Sequence, residues 1–217
     1  MYPANPEALA SGFALFGACM KRLILLIDGG FLRVAARKAG HDYTPDFIAE
    51  FAHQSFTPEE ELWRILYYDC APYHGEQKLP ISGQAQRFDS SDGWLKELAR
   101  KDLFAIRLGV LKFRGYKLKK RPKGSIENLC DDDFRPDFEQ KGVDMRIGLD
   151  IASYAGQKAI DRIALVTADT DCVPAMKYAR KSGAQVVLIT LPGSIVPEEL
   201  TAHADMVRRL AWPDSST

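Results

Sequence analysis

Leu23-Ile24-Leu25-Leu26-Ile27-Asp28-Gly29-Gly30 is the stretch on which the reading of this chain turns. Five apolar residues in a row read as a strand buried on both faces, as in a parallel sheet covered by helices. A carboxylate follows at once and cannot point into such a core. The two glycines after it let a ligand approach the backbone closely. From Phe31 to Ala39 the pattern turns helical and closes at Gly40. Strand, acid and helix together form one unit of an open α/β sheet, whose ligands bind at the carboxyl edge of the strands.

Outward from this unit the alternation continues. Further strands are expected at Trp63–Tyr68, Phe104–Leu111, Ile163–Thr167 and Gln185–Thr190, with an edge strand at Met206–Leu210. Helices are expected at Asp46–His53, in the later part of Ser82–Lys101, and at Val143–Ala155, Val173–Lys181 and Pro197–His203. This order gives a single α/β, Rossmann-type, three-layer domain with a mostly parallel sheet flanked by helices. The longest irregular segment runs from about Arg114 to Gln140 and is expected to be a functional or mobile loop.

Composition sets the frame. The chain has 217 residues, 46% apolar and 27% charged, which suits one globular domain with a substantial core. The 29 basic and 29 acidic residues cancel, so bulk charge does not announce a nucleic-acid binder. Locally they separate. Lys112 to Lys123 is basic without an acid, and Cys130 to Asp137 holds four aspartates against one arginine. Four scattered cysteines without a CxxC pair argue against a zinc knuckle or a disulfide framework and fit a reducing, cytoplasmic setting. Residues 1–19 read as a peripheral extension, 20–212 as the domain and 213–217 as a tail. No stretch reads as a membrane span.

Two more segments bring aspartates to the edge that Asp28 occupies. Lys141-Gly142-Val143-Asp144 opens a helix, and Thr167-Ala168-Asp169-Thr170-Asp171 ends a strand. Clustered carboxylates repel one another unless a cation lies among them, and hard oxygen ligands suit Mg²⁺ or Mn²⁺. Each acid also has a plainer structural reading. Asp28 can cap the helix that follows, and Asp171 can cap the helix carrying Pro174 in its first turn. Asp144 suits a helix start, Asp150 can pair with Arg146, and Asp69 can bond its own turn. Asp171-Cys172-Val173 within Asp-Thr-Asp-Cys-Val also matches a phosphatase nucleophile motif, but only 46 residues follow Asp171, since 217 − 171 = 46. Asp28-Gly29-Gly30 lacks the GxGxxG turn of a dinucleotide fold.

Taken in order, strand-Asp-Gly, Lys-Gly-Val-Asp and Thr-Ala-Asp-Thr-Asp resemble the NYN domain family, a branch of the PIN-like nucleases. The likeness covers residues 22 to about 190. It implies metal-dependent hydrolysis of RNA, with Asp28, Asp144 and Asp169 as metal-binding acids and Asp171 as the acid after them. Asp69, Asp150, Thr167 and Lys141 match accessory positions. The chain departs from the family in two places: Phe31 stands where Asn is frequent, and Ala168 stands where Gly is frequent. Arg114, Tyr116, Lys117, Lys119, Lys120 and Arg121 are the residues expected to hold RNA, with Phe113 and Tyr116 available to stack on bases. Two other functions fit the same acids: a catalytically weak RNA-binding regulatory module, and hydrolysis of DNA or of a small phosphate ester.

Overall fold

The computed structural model describes residues 20–120 and 128–213. The extension 1–19, the end of the tail and Arg121 lie outside the described residues. The first strand, β1 (Lys21–Asp28), runs straight into α1 (Gly29–Lys38), followed by α2 (Pro45–His53), β2 (Glu60–Cys70), a hairpin of β3 (His74–Lys78) and β4 (Ala85–Asp89), and α3 (Gly93–Leu98). Next come β5 (Phe104–Leu118), β6 (Phe134–Lys141), α4 (Val143–Gly156), β7 (Arg162–Val166), α5 (Val173–Lys181), β8 (Gln185–Thr190), α6 (Glu198–Ala202) and β9 (Met206–Arg209).

Seven strands form one sheet in the order β6-β5-β2-β1-β7-β8-β9. All neighbours are parallel except β6, which lies antiparallel to β5. Leu23, Leu25 and Ile27 face α1, α2 and α3, while Ile24 and Leu26 face α4 and α5. The β1 run is therefore apolar throughout because both of its faces are covered. The three-layer α/β expectation holds. No helix among the described residues is long and apolar enough to cross a membrane.

The order of strands reverses direction at β1. The chain moves outward through β2 and β5 on one side and through β7, β8 and β9 on the other. The crevice between the carboxyl ends of β1 and β7 is thus the topological switch point, where sheets of this kind bind ligands. Asp28 and the turn after Val166 stand there.

Of the segment expected to be a loop, Arg114–Leu118 and Phe134–Gln140 are strand. β5 continues past Leu111 to Leu118 and pairs with β6, forming a two-stranded arm that projects from the sheet edge. Pairing continues because Phe113 and Phe138 pack with Tyr73 and Phe88 of the β3–β4 hairpin, giving the arm an apolar face. The acids of the arm pin it. Asp131 Oδ1 accepts from the Ile81 and Ser82 amides, and Asp133, fully buried, accepts from the Cys130 amide.

Close packing at the switch point explains the first glycine. A Cβ on Gly29 would lie 2.4 Å from the Tyr67 ring and hydroxyl and 2.7 Å from the Tyr68 carbonyl oxygen. Gly29→Ala should therefore cost about 1–3 kcal/mol, read as a lower urea midpoint at unchanged m-value.

Candidate active site

Asp28 is the last residue of β1 and the N-cap of α1, with its Oδ1 accepting from the Phe31 amide at 3.0 Å. The capping and site readings of this residue coexist. Asp169 follows β7 across the switch point and caps a short 3-10 turn (Thr170–Cys172) through the Asp171 amide at 2.9 Å. Asp171 does not cap α5, whose N-cap is Cys172 with no side-chain hydrogen bond, and Asp171 stays exposed on the rim. Thr167 links the two strands, as its Oγ1 donates to Asp28 Oδ2 at 3.5 Å and accepts from the Asp169 amide at 3.1 Å.

Asp144 arrives from the arm. Gly142, in the left-handed region at φ 77°, turns the end of β6 into α4, and Asp144 lies in the first turn of that helix. Asp28, Gly30, Phe31, Gln140, Asp144, Ala168 and Asp169 line one open cleft of about 480 Å³. The structure thus brings Asp28, Asp144 and Asp169 together, with Asp171 beside them.

The carboxyls feel one another. Burial raises the Asp28 carboxyl above its usual range, and the charges of Asp144 and Asp169 add to this, against the lowering effect of the Phe31 amide. Burial also raises Asp144, reinforced by the charges of Asp169 and Asp171 and by a hydrogen bond with Asp169. Cys172 lies behind the acids, 1% exposed. Burial and four aspartate charges push its thiol up to about 12, which removes it as a nucleophile.

The donor set fits a hydrated hard cation. Among the described residues no group of three or more His, Cys, Asp or Glu is placed to hold a metal ion. Mg²⁺ does not need one, because it keeps several waters and commonly takes only one or two carboxylates directly. An open cleft with carboxylates on three walls matches that habit.

Of the accessory residues, Thr167 stands between the acids, while Asp69, Asp150 and Lys141 do not line the cleft. Asp69 is 2% exposed and bound at both oxygens by Arg33 at 2.8 Å, and its Oδ1 also accepts from the Cys70 amide. Asp150 accepts from the Tyr68 hydroxyl at 2.8 Å and from Arg107 at 3.1 Å, rather than pairing with Arg146. Both acids are held as structural anchors of β2 and α4. Lys141 pairs with Glu139 at the root of the arm.

Of the residues expected to hold RNA, Arg114, Tyr116 and Lys117 lie in β5, Lys119 and Lys120 follow it, and Arg121 lies outside the described residues. Arg114 pairs with Glu139, Lys117 with Asp137 at 2.8 Å, and the Lys119 ammonium donates to the Asp132 carbonyl. Tyr116 donates to Gln86 at 2.9 Å, and Phe113 belongs to the arm's aromatic packing. Lys120 is exposed just past β5.

The cleft residue that the sequence did not signal is Gln140. Its side-chain Oε1 lies 3.4 Å from where a Cβ on Gly30 would stand, and Asp28 Oδ1 lies 3.3 Å from the same point. A neutral amide in a charged run carries no motif. Only the antiparallel pairing of Gln140 with Leu111 places it at the cleft.

Among curated proteins none matches this chain. One solved structure, a protein of unknown function from Vibrio parahaemolyticus, superposes with a TM-score of 0.54 at 14% identity, covering 88% of this chain and 94% of that one. That likeness concerns the fold alone. The family model of the NYN domain matches residues 22–210. The strand order, the switch-point acids and this match agree: the chain belongs to the NYN domain family, whose fold is generally that of a metal-dependent nuclease.

Proposed function

We propose that the protein is a metal-dependent endoribonuclease that hydrolyses RNA phosphodiester bonds at the Asp28–Asp144–Asp169 cleft. The observation that carries this reading is the mutual electrostatic stress of acids from three separate elements around one open cleft at the switch point. Such an arrangement favours a bound cation and disfavours a bare phosphate.

Asp28, Asp144 and Asp169 would hold one or two Mg²⁺ or Mn²⁺ ions, with Asp171 on the rim. When bound, the metal supplies charge neutralisation at the scissile phosphate and an acidified water. The protein's own share is positional. Thr167 fixes the spacing of Asp28 and Asp169 through its two hydrogen bonds. The α1 cap holds Asp28 in one rotamer, and Gly30 leaves room above it for a phosphate oxygen. Gln140 faces the cleft from the arm and offers an amide N–H to that phosphate.

The deciding assay incubates the protein with single- and double-stranded RNA and DNA in Mg²⁺, Mn²⁺ or chelator and identifies the ends produced. Cleavage of RNA alone, lost on chelation, is the expected result. Binding without cleavage would favour a regulatory module, and cleavage of DNA would move the substrate class.

The arm is the proposed approach for the strand. Lys112, Arg114, Lys117, Arg135 and Lys141 outnumber Asp137 and Glu139 on its charged rows, and its root reaches the cleft at Gln140. Replacing Lys117, Lys119 and Lys120 by alanine should flatten the salt dependence of RNA binding. The log–log slope should fall by roughly 0.7 for each phosphate left without its cation. Filter binding across a salt series reads this, and an unchanged slope would remove the arm from the substrate path.

A further inference from the structure

Helix α1 buries one apolar face fully and a second only in part. Leu32 and Ala36 are fully buried against the sheet. Phe31, Val34, Ala35 and Lys38 lie at spacings of three, four and seven residues and so form a separate stripe along the helix. The stripe runs from half-buried Phe31 and Ala35, which also pack against the core, to exposed Val34 and Lys38. It forms one wall of a trench of about 440 Å³ whose other wall is the turn after β8, including Pro192 and Ile195. Val34 remains 54% exposed and Ile195 92% exposed. The volume is within the range of about 300–1,000 Å³ usual for small-molecule sites.

Phe31 lines this trench and the acidic cleft alike. It sits three residues after Asp28, in the first turn of α1, so a group resting on its ring is next to a phosphate held at Asp28. At the far end of the stripe, about two helical turns on, Lys38 supplies the positive charge that the cleft lacks. The cleft has another neighbour, which shares Gly30 and Gln140 with it. Its charged groups, Arg33 and Asp69, are engaged with each other, with the guanidinium set against the Tyr43 and Trp94 rings. The charges of that neighbour satisfy each other, whereas the wall of the Phe31 trench on α1 keeps Lys38 beside apolar side chains.

We propose that the trench between α1 and the 191–196 turn seats a nucleobase of the strand being cleaved. In this arrangement Phe31 and Ile195 sandwich the base beside the scissile phosphate, and Lys38 takes the next phosphate. The inference rests on the nuclease reading and extends it. Stacking on an aromatic face with an aliphatic cover is tolerant of base identity, so the subsite grips an unpaired strand without reading its sequence. A duplex keeps its bases inward and cannot fill the trench, which makes single-stranded RNA the favoured substrate.

The test uses two labelled octamers, oligoadenylate and an abasic ribose-phosphate chain of equal length, with fluorescence anisotropy in Mg²⁺. Binding is read in an Asp144→Asn background, so that ligand is not consumed, and wild-type cleavage of the oligoadenylate is run in parallel. Phe31→Ala should weaken oligoadenylate binding on the order of ten- to a hundredfold and leave the abasic chain unaffected. Ile195→Ser, at a residue too exposed to unfold the protein, should act in the same direction. Lys38→Ala should lower the salt slope by roughly 0.7 for both ligands.

Equal losses for both octamers, or no loss from either apolar substitution, overturns the base seat while wild-type cleavage upholds the nuclease. The base seat is likewise overturned if the octamer is cleaved by wild type yet unbound in the Asp144→Asn background. A wild-type protein that neither cleaves nor binds overturns both readings. A dimer that Ile195→Ser dissociates in sedimentation assigns the trench to a second copy of the chain and also overturns the proposal.

Discussion

Asp28→Asn and Asp144→Asn should each reduce RNA cleavage by about a hundred- to a thousandfold, in the range seen when a charge-stabilising group is removed from a catalytic site, while leaving the fold as stable as wild type or more so. The two halves of this result come from one cause. Burial and neighbouring acids raise both carboxyls above their usual range in the folded protein. For a raised acid the folded state holds its proton longer than the unfolded chain does. Stability is therefore highest below the ordinary carboxyl range and falls as pH rises through the folded pKa.

Asparagine removes that penalty at neutral pH. At position 28 it also keeps the helix cap, since its side-chain oxygen can accept from the Phe31 amide as aspartate does. Urea melts at pH 4 and pH 7 alongside single-turnover cleavage provide the check. The variants should gain on wild type between the two pH values. Retained turnover in either variant would sink the assignment of the site, and a large loss of stability at pH 7 would sink the electrostatic account of it.

Much of this arrangement was legible in the sequence because it rests on uninterrupted apolar runs. β1, β7 and β8 are buried on both faces and announce themselves, and the acids at their ends follow by topology. The arm was not legible for the opposite reason. β3 and β4 alternate exposed and half-buried residues over His-Gly-Glu-Gln-Lys and Ala-Gln-Arg-Phe-Asp, and β6 carries Pro136 and three charges ahead of Lys141. These strands are stabilised by aromatic contacts between segments 25 to 65 residues apart, such as Tyr73 with Phe113 and Phe138, which no local period reveals. Asp69 and Asp150 sit close to the right edge in sequence terms. Their true partners, Arg33 and Arg107, are supplied by other elements, so motif spacing could not separate anchors from site.

Glu60→Ala should be the most destabilising single change away from the cleft, at about 3–5 kcal/mol. Glu60 starts β2 with a side chain of 0% exposure. It accepts from Arg162 at 2.8 Å, from Arg208 at 2.9 Å and from the Thr57 amide at 2.8 Å, tying β2 to β7 and β9 at the edge opposite the site. Alanine leaves two guanidiniums facing each other without their acid. Burial alone would raise the Glu60 carboxyl, but the hydrogen bonds from Arg208, Thr57 and Arg162 outweigh it and bring the pKa below its ordinary value.

A lowered acid contributes stability that is full above its unfolded pKa and disappears as pH falls through the folded one. Glu60→Gln should therefore flatten the acid limb of the stability curve below the ordinary glutamate range, besides lowering stability at neutral pH. Chemical denaturation between pH 3 and pH 7 measures both. An Ala variant within about 1 kcal/mol of wild type would show the triad to be a surface-grade ion pair.

The pairing of β1 with β7 also sets a clock on the chain's own synthesis. Thr167 meets Asp28 across 139 residues of sequence, and Arg22 meets Asp161 across the same interval. Contacts of such span close late, because a long loop must be gathered before any bond rewards it. A nascent chain that has emerged only as far as α4 already holds Asp28 and Asp144, yet it lacks the strand that brings Asp169 beside them. The proposed cleaving activity would therefore stay silent on the ribosome until β7 has been made.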